Sequence, residues 1–172
     1  MLPLFFVPEK ISVLIIGCGK QAEKRISILK SLGIHNLTFI NINKDAKISK
    51  KLAKTFTIAF ITDPNEFDFI PLYNFLRPLI PIINVEDKLE YCDFYFPSIV
   101  NKGKLKVAIS TAGESPFFGK FLKQKIEDIL TEELISKFEN LAKERKIWKK
   151  QGLALEEIAK KSEKFLFDNI KI

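Results

Sequence analysis

A chain of 172 residues is long enough for one good core with a small helical appendage and too short for two full domains. Its 47% hydrophobic and 28% charged residues exclude wholesale disorder and fibrous repeats. The formal charge of +7 points to an acidic partner, whether nucleic acid, an anionic surface or a ligand rich in carboxylate or phosphate, without choosing among them.

In chain order, residues 1–7 are apolar but lack a basic leader and a small-residue cleavage site, so they are expected as a strand entering a sheet rather than a signal peptide. Residues 11–16 form a continuous apolar, β-branched run, the pattern of a parallel strand buried on both faces. Residues 20–32 place Ala22, Ile26, Ile28 and Leu29 among charged neighbours, and Gly33 ends them as a helix C-terminal glycine does. With a strand over 37–42 they make a βαβ unit whose right-handed crossover sets both strands parallel. A basic helix is expected over 44–54 and a strand over 56–61. A helix over 65–76 should follow, closed by Pro78 before a strand over 80–85. Residues 104–110 alternate Leu105, Val107 and Ile109 with Lys104 and Lys106, as a strand with one wet face near a sheet edge.

The remainder is helical. Ser115 is the expected N-cap and Pro116 the first helical residue, with Phe118, Leu122, Ile126 and Ile129 as an apolar stripe. Helices over 132–148 and 155–167 carry apolar faces through Leu134, Phe138, Leu141, Ile158 and Phe165. Such helices lie beyond those needed to cover the sheet, so a homodimer is expected to bury them.

Residues 67–85 are nearly long and apolar enough to span a bilayer, but they hold Asp68, Arg77 and three prolines. A charge at mid-membrane costs about 2.5–3.5 kcal/mol, so a helix followed by a buried strand is the better reading and no membrane partner is expected. Cys18 and Cys92 are far apart with only His35 to help, which excludes a thiolate zinc site, and no metal site is expected. The cysteine usage fits a reducing, cytoplasmic setting. His35 reads as a surface residue in a turn, and Cys18 has no redox partner.

The chemistry-bearing motif is Gly-Cys-Gly-Lys-Gln-Ala at 17–22, the Gly-x-Gly-x-x-Gly/Ala pattern set between a strand and a helix. Gly17 serves the tight turn, Gly19 a close approach to pyrophosphate, and Ala22 the packing of helix on strand. The amides of Lys20 and Gln21 then point at phosphate. The acid that usually grips the ribose at the end of the second strand is absent. Ile42 and Asn43 stand there instead, with Asp45 beyond them. Asn43 can still bond the ribose, and no arginine beside it invites a 2′-phosphate, so NAD is favoured over NADP.

Four further stretches recur in order: Met1-Leu-Pro-Leu-Phe, Asn84-Val-Glu-Asp87, Cys92-Asp-Phe-Tyr-Phe-Pro-Ser-Ile-Val100 and Val107-Ala-Ile-Ser-Thr-Ala-Gly-Glu-Ser-Pro116. On these the chain resembles the precorrin-2 dehydrogenase and sirohydrochlorin ferrochelatase family, the N-terminal module of siroheme synthases. The resemblance implies a Rossmann-type NAD-binding domain over 1–84, a dimerisation and active-site segment over 85–115 and a helical domain over 116–172. It implies oxidation of precorrin-2 to sirohydrochlorin by NAD in a homodimer, with insertion of ferrous iron, a substrate rather than a resident cofactor, as the following step to siroheme.

Asp87 matches the family's essential aspartate and is the catalytic candidate, placed just after a strand where ligands bind in open α/β folds. Thr62 and Asp63 match a Thr-Asp turn near the nicotinamide ribose. Ser110, Thr111 and Gly113 match a loop closing on the substrate, with Ala112 where a glycine is common, and Lys120 and Lys123 follow as candidates for its propionates. A tetrapyrrole with eight carboxylates accounts for the positive charge, and no nucleic-acid module is recognised. The segment between Asn43 and Thr62 is short for the family. This leaves open a chelatase or tetrapyrrole-binding protein without the dehydrogenase step, and a non-catalytic dinucleotide-sensing dimer.

Overall fold

The computed structural model describes residues 2–44 and 48–169. The chain divides into two compact units, Met1–Phe96 and Pro97–Ile172, where length had argued for a single core with an appendage. The boundary falls inside the 85–115 segment.

The first unit is a four-stranded parallel sheet in the order β2-β1-β3-β4. Its strands are β1 (Val13–Gly17), β2 (Leu37–Asn41), β3 (Ile58–Ile61) and β4 (Ile82–Val85). Every residue of β1 and β3 is buried, as a strand covered on both faces requires. Alternation divides β1 between two cores. Val13 and Ile15 meet Ala22 and Leu29 of helix α1 (Lys20–Ser31). Leu14 and Ile16 meet Ala53 of α2 (Lys50–Ala53) and Leu76 of α3 (Ile70–Leu76). Gly33, at φ +86°, closes α1 in the left-handed conformation that glycine adopts without cost.

Several expectations change. Residues 2–7 form no strand: Leu2, Leu4, Phe5, Phe6 and Val7 are exposed without regular structure. Of the helix expected over 44–54, the described residues show the single turn α2, capped by Ser49 Oγ, which accepts the Leu52 amide, and residues 45–47 lie outside the described residues. Among the described residues β2 has no outer neighbour in the sheet. Helix α3 begins five residues later than expected, with a proline in its first turn. No helix among the described residues is long and apolar enough to cross a membrane.

The second unit is built on an antiparallel hairpin of β5 (Ser98–Lys102) and β6 (Leu105–Ile109), with Gly103 at φ +55° in its turn. Strand β6 lies at a sheet edge as expected, since its sheet has two strands, and its partner β5 is a strand the pattern did not reveal. Helices α4 (Pro116–Ile129), α5 (Glu132–Lys150) and α6 (Leu155–Asn169) follow. Ser115 Oγ accepts the Phe118 amide and Thr131 Oγ1 the Leu134 amide, so both caps satisfy otherwise orphaned donors. Ile135 and Ile158 are buried, whereas Phe117, Phe118, Phe121 and Ile129 are exposed and leave much of the α4 stripe facing outward.

Candidate functional site

In strand order 2-1-3-4 the chain leaves β1 in opposite directions, first to β2 and then to β3, so the switch point lies between the carboxyl ends of β1 and β3. Gly17 ends β1 there, and Thr62 and Asp63 follow β3. The Thr62 amide donates to Ile16 O at 2.8 Å and its hydroxyl to the same oxygen at 3.3 Å, fixing the turn against the glycine bend.

The glycines answer to this turn. A Cβ on Gly17 would lie 2.0 Å from Thr62 Oγ1 and 2.9 Å from Thr62 O, and one on Gly19 would lie 2.6 Å from Asp63 Oδ1. The Gly19 amide donates to Asp63 Oδ2 at 3.1 Å. The side of Gly19 assigned from sequence to a pyrophosphate therefore faces a carboxylate. Ala22 is fully buried, in keeping with its expected packing role. Gly19 is the N-cap of α1 and brings no side-chain acceptor, so the amides of Lys20 and Gln21 open the helix without one.

At the end of β2, Ile42 and Asn43 lie in a 3-10 turn, with the Asn43 amide donating to Asn41 Oδ1 at 3.0 Å. Burial first, then the charges of Asp63 and Glu66, pushes the Cys18 thiol up, so it stays protonated at neutral pH. Asp45 lies outside the described residues.

Asp87 sits just past β4, at φ +57°, in a turn closed by the Lys88 amide on Val85 O at 3.2 Å. Cys92 braces this turn. Its thiol donates to Val85 O at 3.0 Å and accepts from the Val85 amide and from Asn84 Nδ2, both at 3.3 Å. Burial keeps the thiol up and unreactive.

Two residues without a role in the sequence reading join the site. Arg25 reaches inward from α1, its guanidinium 4.1 Å from the Phe96 ring centroid and 5.1 Å from that of Phe60, and it pairs with Glu86 at 3.4 Å. Burial holds Glu86 above its usual range, opposed by the charge of Arg25 and by the backbone amide of Asp63. Burial likewise lowers Arg25, opposed by Glu86 and Asp87. The usable signal for Arg25 was its place three residues after buried Ala22, on the same helix face. The glycine bend, Asn43, Thr62, Asp63, Arg25, Glu86 and Asp87 are thus brought together at one sheet edge, which is rich in acids. Among the described residues no cluster of three or more histidine, cysteine or acidic groups is arranged to hold a metal.

In the second unit Ser110, Thr111 and Gly113 form the loop entering α4. Ser110 Oγ accepts the Ala112 amide at 3.2 Å and Thr111 Oγ1 the Ser115 amide at 3.3 Å. Ala112 is left-handed at φ +55°, the conformation that a glycine there would take more easily. Gly119 lets α4 approach the hairpin, since a Cβ there would lie 3.3 Å from Ser98 Oγ. Lys120 is exposed, and Lys123 pairs with Glu127 at 3.7 Å.

No family model matches the chain. It is 31% identical over 145 residues to a siroheme synthase of Baumannia cicadellinicola subsp. Homalodisca coagulata, covering 75% of this chain and 31% of that protein. It is 28% identical over 148 residues to a siroheme synthase of Zymomonas mobilis subsp. mobilis, covering 77% of this chain and again 31% of the relative. The chain therefore spans about a third of the length of the curated relatives it matches. Among solved structures it superposes on SirC, a precorrin-2 dehydrogenase, with a TM-score of 0.71 at 17% identity, covering 98% of each chain. The chain is a homologue of one segment of siroheme synthases and has the fold of a precorrin-2 dehydrogenase.

Proposed function

We propose that this chain is an oxidoreductase of tetrapyrrole biosynthesis that oxidises precorrin-2 to sirohydrochlorin with NAD, as a cytoplasmic homodimer. The observation that carries this reading is the convergence of the glycine bend, Asn43 and Asp87 at the carboxyl edge of the parallel sheet, where open α/β folds bind their ligands. The uncapped amides of Lys20 and Gln21 suit the pyrophosphate and Asn43 the ribose, and the bound dinucleotide would accept hydride. Asp87 takes the proton that leaves the macrocycle with the hydride. Ser110, Thr111, Gly113 and Lys120 are the proposed substrate contacts, and the exposed phenylalanines of α4 are the proposed dimer surface.

Anaerobic incubation with precorrin-2 and NAD tests the reading. Sirohydrochlorin absorbance should rise with NADH, and Asp87→Asn should slow turnover to a small measurable residue while nucleotide still binds. Absence of NADH from the wild-type protein refutes it.

A second reading, a chelatase without the dehydrogenase step, is favoured by the Asp63 carboxylate on Gly19, which opposes a pyrophosphate there. Asp87 would then accept pyrrole protons as ferrous iron, the substrate, enters. Calorimetric titration separates the two. No heat with NAD, together with iron insertion into sirohydrochlorin, supports the second reading. NAD binding that tightens in Asp63→Asn supports the first.

A further inference from the structure

Asp87 occupies the third position of the Val85–Lys88 turn in the left-handed region, where glycine is the residue such turns favour. A non-glycine residue stays in that region when its neighbours over-determine it. On the strand side Val85 is fixed by its ladder to Ile61 and by Cys92. The other neighbour is Glu86. Its amide donates to Ile61 O at 3.0 Å, carrying the ladder one residue past the strand, and its carboxylate is buried against Arg25.

The ion pair is poorly made for stability. A single N–H···O contact of 3.4 Å joins it, and among the described residues neither Arg25 Nε nor Glu86 Oε2 has a hydrogen-bond partner although both are buried. Buried pairs of this kind seldom stabilise a fold relative to apolar replacements. What the pair does achieve is directional. Arg25, held between the Phe60 and Phe96 rings on a helix that begins at the glycine bend, fixes the Glu86 side chain inward, so the next side chain must leave the turn on the other course.

We infer that Glu86, clamped by Arg25, is the positioning residue that holds Asp87 left-handed and sets the direction of its carboxylate; the consequence for turnover rests on the function proposed above. Asp63 ties the turn after β3 to the glycine bend, because its carboxylate takes the Gly19 amide.

The test uses the full chain labelled with 15N and two variants, Glu86→Gln and Arg25→Met. A left-handed residue brings its amide proton close to its own Hα and gives a strong intraresidue NOE. The wild type should show that signal at Asp87 and at Ala112. In both variants it should weaken at Asp87 and persist at Ala112, with the cross-strand NOEs of β1 and β3 retained. If Arg25→Met loses those cross-strand signals, Arg25→Lys, which keeps the charge but not the planar stack, replaces it.

In the anaerobic assay each variant should lose about 10-fold to 100-fold in kcat with an unchanged NAD dissociation constant. Each should be no slower than Asp87→Asn when combined with it. An unchanged Asp87 NOE in the variants, or losses that multiply with Asp87→Asn, overturns the inference. If the wild-type protein shows no turnover, the proposed function fails alone, and the NOE still decides the role of Glu86.

Discussion

Replacing Gly17 by alanine isolates the contact that builds the site. The new Cβ would stand 2.0 Å from Thr62 Oγ1, 2.9 Å from Thr62 O and 2.9 Å from Asp63 Oδ2, against ordinary contacts of 3.4–4 Å. Rotating Thr62 clears only its hydroxyl, and breaks the bond from that hydroxyl to Ile16 O at a cost of about 1 kcal/mol. The carbonyl is backbone, anchored by the Thr62 amide on Ile16 O, so β1 and β3 must part at their ends. Overpacking of this kind costs about 1–3 kcal/mol, for a total of roughly 2–4 kcal/mol.

For a chain of this size that lowers the melting temperature by roughly 4–16 °C, read by circular dichroism. Hydrogen exchange should locate the damage, with the Thr62 amide exchanging faster while amides of the second unit are unchanged. Gly19→Ala is the control. Its Cβ meets only the Asp63 side chain, at 2.6 Å, and that side chain can swing away, so the loss is confined to one hydrogen bond of about 1 kcal/mol. A Gly17→Ala protein that melts within about 1 °C of wild type, or above Gly19→Ala, refutes the reasoning.

Glu86→Gln should change how stability depends on pH. Burial raises the Glu86 carboxyl from its ordinary value of 4.5, so its contribution is fully present below that value and is lost as pH rises through the higher, folded one. Urea denaturation from about pH 4 to about pH 7 should show the variant gaining on wild type; a constant or reversed difference refutes this. Ser115→Ala removes the acceptor of the Phe118 amide at 3.2 Å and should cost about 1 kcal/mol in the second unit, whereas no change in its melt would mean the cap is idle. Ala112→Gly should stabilise by roughly 0.5–1 kcal/mol, because relief of a left-handed alanine exceeds the added backbone entropy; a lowered melting temperature counts against the loop geometry.

The parallel sheet was legible because a doubly buried strand, a glycine bend and an amphipathic helix each leave a local mark. Residues 11–16, the motif at 17–22 and Gly33 are sufficient to place β1 and α1. The Ser115 cap was legible for the same reason, since a hydroxyl three residues before an amide is a short-range signal. Residues 2–7 misled, as an apolar run reads as a strand whether or not a partner edge awaits it. Strand β5 was missed because Ser98–Lys102 sets Ile99 and Val100 side by side and so lacks the period-two alternation read at 104–107.

What local order by itself determined is the set of elements on the parallel sheet and the family to which the motif residues point. What only the tertiary structure decided is which side chains meet at the bend: Asp63 on the Gly19 amide, Arg25 between two rings, and Glu86 turned toward Arg25 beside left-handed Asp87. Contacts between residues 44 or 61 positions apart carry no mark in local spacing, because they are set by how helices and strands stack. Burial then lowers Arg25 and raises Glu86 from their ordinary values, and burial is a property of the fold rather than of any short stretch of chain.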